Sequence, residues 1–172
     1  MNPLTLDEIV ERVTTRYYGK YRGTVTDVQD PTGSLRIKAT VPDVLGSLES
    51  GWCLPCVPFA GPNAGFCFLP EVSSSVWIEF EGGDPSYPIW TGCFWLTGDT
   101  PSDVSAKKRG IITAAGHRLI LDDDAEEITI EDANGAKISF SSGAITMSSS
   151  QNAQVAVDGQ KVSVNDGALE VQ

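Results

Sequence analysis

From Glu127 onward, apolar residues recur at every second position in six short groups. They are Ile128/Ile130, Ile138/Phe140, Ile145/Met147, Val155/Val157, Val162/Val164 and Leu169/Val171. A two-residue period is that of a strand with one apolar face. Turn chemistry breaks the run at Asp132-Ala-Asn-Gly135, Ser142-Gly143, Asp158-Gly159 and Asn165-Asp-Gly167. Two aliphatic side chains contribute about 1.5–3 kcal/mol each when buried. Ordering the chain costs roughly 1–2 kcal/mol per residue. Such a ladder cannot stand alone. Its apolar face must be covered by something larger, and identical chains are the expected cover.

A different period opens the chain. Leu6, Ile9, Val10 and Val13 fall at i, i+3, i+4 and i+7, one face of a helix over residues 4–16. Thr5 followed by Glu8 forms a capping box. A lone amphipathic helix of this length is marginal in water, so this one is expected to dock. Residues 17–96 read as an all-β domain, with strands over 21–28, 35–41, 52–57, 75–80 and 89–96. Turns are expected at Asp30-Pro31-Thr-Gly33 and Gly82-Gly-Asp-Pro85. Five short strands with Gly/Pro-rich connections suit a small barrel. Residues 97–109 are a polar linker, and 110–172 form the ladder, which opens with strands over 111–113 and 118–121.

Charge narrows the partners. The chain has 172 residues and a formal charge of -11. Residues 110–172 hold 3 Lys/Arg and 10 Asp/Glu, a net of -7, so the ladder is apolar on one side and acidic on the other. A nucleic-acid backbone or an anionic membrane surface is a poor match for this charge. No apolar run is long enough to span a bilayer. The N-terminus lacks a secretory signal pattern, so synthesis is expected in the cytoplasm with Cys53, Cys56, Cys67 and Cys93 reduced.

The 17–96 segment carries several ordered motifs. Gly23-Thr-Val25, Asp30-Pro31, the strand at 35–42, Gly65-Phe-Cys-Phe-Leu-Pro-Glu-Val72, Val76-Trp-Ile-Glu-Phe80, Gly83-Asp-Pro85 and Tyr87-Pro-Ile-Trp-Thr-Gly92 follow one another. In this order they resemble the OB-fold domain of the central spike of contractile injection machines. That family includes the baseplate assembly protein V class of phage tails and the VgrG proteins of type VI secretion. Thr113-Ala-Ala-Gly-His117-Arg-Leu-Ile-Leu-Asp122-Asp123 resembles the junction where those proteins pass from barrel to spike. The resemblance covers about residues 17–140 and implies a five-stranded OB barrel followed by an intertwined trimeric β-helix. Each chain would then supply one short strand per step, with every inward Ile or Val buried by two symmetry mates. An antiparallel meander within one chain is the alternative.

What the resemblance implies is a non-enzymatic homotrimer in the baseplate of a phage or phage-like particle, with transient contact to a target envelope. Leu6, Ile9, Val10 and Val13 are the expected docking face for a tube-initiating hub protein. Leu169 and Val171 are the expected contact for a separate spike-tip protein. The core would be the twelve residues of the ladder pairs.

Other chemistry is weaker. Cys53-Leu-Pro-Cys56 is a C-x2-C, but Cys67 and Cys93 do not complete a usual zinc spacing, so all four are expected as small buried hydrophobes. His117 is the only histidine, and no G-x-S-x-G elbow accompanies it. It is expected to make a structural hydrogen bond. Asp122-Asp-Asp-Ala-Glu-Glu127 lacks the spacing of a calcium loop and is expected as a solvated acidic collar. Trp77, Trp90 and Trp95 are expected in the core or at the trimer interface. No cofactor is expected. The rival classes are an OB binding module for oligosaccharide or nucleic acid, and a hydrolase.

Overall fold

The computed structural model describes residues 5–171, apart from the side chains of Arg12, Glu170 and Val171. The chain divides into two compact units, one up to Gly98 and one from Asp99.

The first unit begins with α1 (Leu6–Thr15). The capping box is present: the Thr5 hydroxyl accepts from the Glu8 N–H, and the Glu8 carboxylate accepts from the Thr5 N–H at 2.7 Å. All described side chains of α1 are exposed. The chain is then pinned to the sheet by the Tyr17 N–H, which donates to the Gly83 carbonyl at 2.8 Å, and by the Arg16–Asp84 ion pair at 2.8 Å. Gly83 is required there. Its φ is +75°, and a Cβ would sit 3.0 Å from the Arg16 Cβ.

Beyond this pin come β1 (Tyr21–Asp27), β2 (Lys38–Thr40), a short helix α2 (Pro42–Leu45), β3 (Leu54–Pro55), the small hairpin β4 (Ala60–Gly61) and β5 (Ala64–Gly65), β6 (Ser75–Phe80) and β7 (Pro88–Cys93). The five-stranded sheet runs β2-β1-β6-β7-β3, antiparallel except where β3 joins β7. It forms a half-barrel of OB type. Alternation in β6 sends Val76, Ile78 and Phe80 inward, against Val25, Ile37, Ala39, Val41, Cys53 and Trp90. The strand expected over 35–41 is shorter because its start is held by a turn instead. Asp30 accepts from the Thr32 and Ser34 N–H groups and from the Arg36 guanidinium at 2.6 Å. Arg36, first among these donors, holds the Asp30 carboxyl far below the usual carboxylate range.

The second unit is one eight-stranded sheet. Its strands are β8 (Lys108–Ile112), β9 (Arg118–Asp122), β10 (Glu127–Glu131), β11 (Lys137–Ser141), β12 (Ala144–Ser148), β13 (Gln154–Asp158), β14 (Lys161–Val164) and β15 (Leu169–Val171). β8 begins two residues inside the stretch read as linker. Every strand pairs antiparallel with its neighbour in sequence. Where the sequence suggested strands interleaved between chains, these hydrogen bonds join neighbours within the chain. The turns account for this. Ser142 and Gly143 both have positive φ, 53° and 81°, the two-residue hairpin turn that matches strand twist. The sheet also offers a face that other copies can cover.

Candidate functional site

Register in the second unit assembles that face. Ile128 lies opposite Phe140, and Ile130 opposite Ile138. Phe140 then faces Ile145, and Ile138 faces Met147. The rows continue through Val157 and Val155 to Val162 and Val164, and end at Val171 and Leu169. Directly opposed residues share a face of the sheet. All twelve positions named from the alternation therefore stand in two parallel rows on one side. The side chain of Val171 lies outside the described residues.

Three further residues extend the rows. Leu121 stands opposite Ile128, Leu119 opposite Ile130, and Ile111 opposite Leu119. Sequence reading missed Leu119 and Leu121 because Leu119-Ile120-Leu121 is apolar throughout, so period two is invisible there. Arg109 closes the first row opposite Leu121 and pairs with Asp123. It is the only charged side chain on this face among the described residues. Relative exposures of Leu121, Ile128, Ile130, Phe140, Ile145, Met147, Val157, Val162 and Leu169 run from 37% to 60%. Those are high values for aliphatic and aromatic side chains in a continuous band.

The opposite face is polar and charge-matched. Arg118, Glu131 and Lys137 oppose one another in sequence across β9, β10 and β11, and Asp158 opposes Lys161. Its central row is Gly110, Ile120, Thr129, Ser139, Thr146, Ala156 and Ser163. The loops at one sheet margin repeat a device. Thr113, Asp132 and Ser149 each accept, through a side-chain oxygen, the N–H four residues on, from His117, Ala136 and Ala153. The Ala136 N–H, first among the causes, lowers the Asp132 carboxyl below its usual range.

At 122–127, expected as a solvated acidic collar, Asp123, Asp124 and Glu126 are exposed, and three of the carboxylates meet basic partners. Lys107 pairs with Asp124 at 2.7 Å, Lys108 with Asp122 at 3.4 Å, and Arg109 with Asp123. The pairing of β8 with β9 brings the Lys-Lys-Arg run beside the Asp run, a contact invisible in sequence. Hydrogen bonds from the Ala125 N–H foremost, and from Lys108, lower the Asp122 carboxyl.

The remaining candidates fall apart as sites. Among the cysteines only Cys53 is buried, and burial pushes its thiol up; Cys56, Cys67 and Cys93 are exposed, which corrects their reading as core residues. Trp90 is buried, whereas Trp95 is 66% exposed and is not in the core. Among the described residues, no group of three or more His, Cys, Asp or Glu is placed to hold a metal ion. His117 accepts through Nδ1 from the Ala133 N–H, a structural contact between two loops. Leu6, Ile9, Val10 and Val13 share one face of α1 and all are exposed.

Two family models match the chain in order. The type VI secretion system/phage-baseplate injector OB domain matches residues 21–95. The phage baseplate V C-terminal trimerisation domain matches residues 108–170. No curated protein matches the chain significantly.

Proposed function

This chain belongs to the phage-baseplate V family of injector proteins, and from that premise we propose that it is the trimeric central spike of a contractile tail or tail-like injection machine. Both matched domains are structural components of phage or type VI baseplates, and the second is a trimerisation domain. The observation that carries the finer reading is the pair of apolar rows from Ile111 to Leu169. Half-exposed in one chain, they become the dry centre of a three-walled prism when three sheets pack face to face.

The prism is suited to load. Strand spacing of about 4.8 Å gives a wall of eight strands a height of roughly 34 Å, with hydrogen bonds running along that height. Compression on the axis is carried by continuous backbone ladders in each wall. The shared core resists splaying. Contraction of a sheath would drive this trimer into the target envelope. The formal charge of -11 on every chain would keep a free spike from adhering to anionic lipid.

Docking completes the reading. The exposed apolar face of α1, with Leu6, Ile9, Val10 and Val13, would seat on the hub that starts the inner tube. Leu169 and Val171 of three chains would receive a separate tip protein. Electron microscopy of particles carrying a C-terminal tag tests the assignment: label should appear at the distal end of the baseplate axis. Label along the sheath or tube would refute it. In the same particles, replacing Ile9 and Val13 by Asp should abolish co-purification with the hub while leaving the trimer intact.

A further inference from the structure

Residues 50–70 contain no charged side chain, in a chain where Asp, Glu, Lys and Arg make up 20%. All of residues 58–68 are exposed. Here β4 and β5 form a small hairpin, Ala60 opposite Gly65 and Gly61 opposite Ala64. Pro62 and Asn63 turn it, with Asn63 at φ 56°. The Phe66 N–H donates to the Phe59 carbonyl at 3.1 Å and closes its base. Three rings flank that base. Phe59, Phe66 and Phe68 are 58%, 42% and 50% exposed, and the last two rings lie 4.7 Å apart. A phenylalanine carries on the order of 200 Å² of surface, so three half-exposed rings present roughly 300 Å². That is the scale of an interaction patch. The strands beside them are alanine and glycine only, which lets another backbone approach closely.

We propose that this hairpin is the contact between neighbouring OB units in the trimer, each hairpin seated on the OB unit of an adjacent copy. The inference rests on the trimeric reading above. Two features of the chain select a second copy as the occupant. The trimerisation domain tethers two other OB units to each one at high effective concentration, so an apolar patch meets a copy before any other protein. Every copy also carries a formal charge of -11. Between such copies a surface free of carboxylates meets the least repulsion, and the exposed residues 58–68 are such a surface.

Cys67 stands between Phe66 and Phe68, exposed in the single chain, and reports on this contact. In a variant with Cys56→Ser and Cys93→Ser, its rate of reaction with a maleimide is compared with that of a Phe-Cys-Phe peptide in the same buffer. Circular dichroism and light scattering on that variant establish fold and mass first. In the trimer, labelling should be at least tenfold slower than in the peptide. A rate within threefold of the peptide, in protein that scatters as a trimer, overturns the proposal. So does protection that appears only when the hub protein or lipid vesicles are added, which would assign the hairpin to those partners. A well-folded monomer overturns the trimeric reading itself, and this inference with it. As a second measurement, Phe66→Ser with Phe68→Ser should raise the concentration at which the trimer dissociates by tenfold or more. An unchanged dissociation curve contradicts the contact.

Discussion

The Nδ1 of His117 accepts a hydrogen bond from the backbone N–H of Ala133 at 3.2 Å. The two residues belong to successive loops, 113–117 and 132–136, so the contact stacks one loop on the next along the margin of the sheet. The bond is exposed, so it contributes at the low end of the about 0.5–1.5 kcal/mol net of a typical hydrogen bond. Replacing His117 with Ala should therefore lower the melting temperature by a few degrees without changing the molecular mass. A variant that loses its trimeric mass would show that His117 does more than join loops.

Gly110 and Ile120 face each other across β8 and β9. A Cβ on Gly110 would sit 2.5 Å from the Ile120 Cδ1 and 2.8 Å from the Leu119 carbonyl oxygen. Gly110→Ala is predicted to destabilise the second unit by about 1–3 kcal/mol, the usual range for overpacking. Adding Ile120→Val should recover only part of that, because the carbonyl is backbone. Thermal melts of the single and double variants check it.

Acid should weaken the loops in a defined window. Asp132 and Asp122 are both held below the ordinary carboxylate value of 3.8, chiefly by the N–H groups of Ala136 and Ala125. A carboxyl with a lowered pKa in the fold binds its proton more weakly there than in the unfolded chain. Its stabilisation is complete above 3.8 and is lost as pH falls through the folded value. Melting temperature should therefore drop below about pH 4, and Asp132→Asn should make that drop shallower. An identical acid profile in the variant would remove Asp132 from the account.

The alternation in 127–171 made the apolar rows legible from the residues alone, because turns of two to five residues separate the strands and leave each strand's period intact. The sequence could not show how far the rows extend. Leu119 and Leu121 are masked by Ile120 between them, and Ile111 is adjacent to Ile112. Pairing was hidden as well. Only register reveals that Lys107, Lys108 and Arg109 neutralise Asp124, Asp122 and Asp123. In the first unit, Val76, Ile78 and Phe80 announced the core strand. The hairpin at 60–65 went unread, since alanine and glycine carry no strand signal. Cys67 and Cys93 looked like core residues from their apolar neighbours, but Phe66 and Phe68 beside Cys67 are themselves exposed, and Cys93 is exposed at the end of β7.

Ile138→Asp probes the rows directly. Ile138 stands between Ile130 and Met147 in the second row. In a trimer one such substitution places three carboxylates in one layer of a dry core, each costing several kcal/mol unless it is paired. Lys137→Asp, at an exposed position on the polar face next to it, is the control. The first variant should fail to assemble and the second should assemble. Equal behaviour of the two would mean the rows do not face the core.

The most direct test is the mass of the purified chain in solution, by light scattering through a sizing column with far-ultraviolet circular dichroism on the same peak. The account predicts a single species of three chain masses with full β-content and no monomer at micromolar concentration. A folded monomer that keeps the β-signal of the eight-stranded sheet would contradict it, since the rows from Ile111 to Leu169 would then be stable without cover.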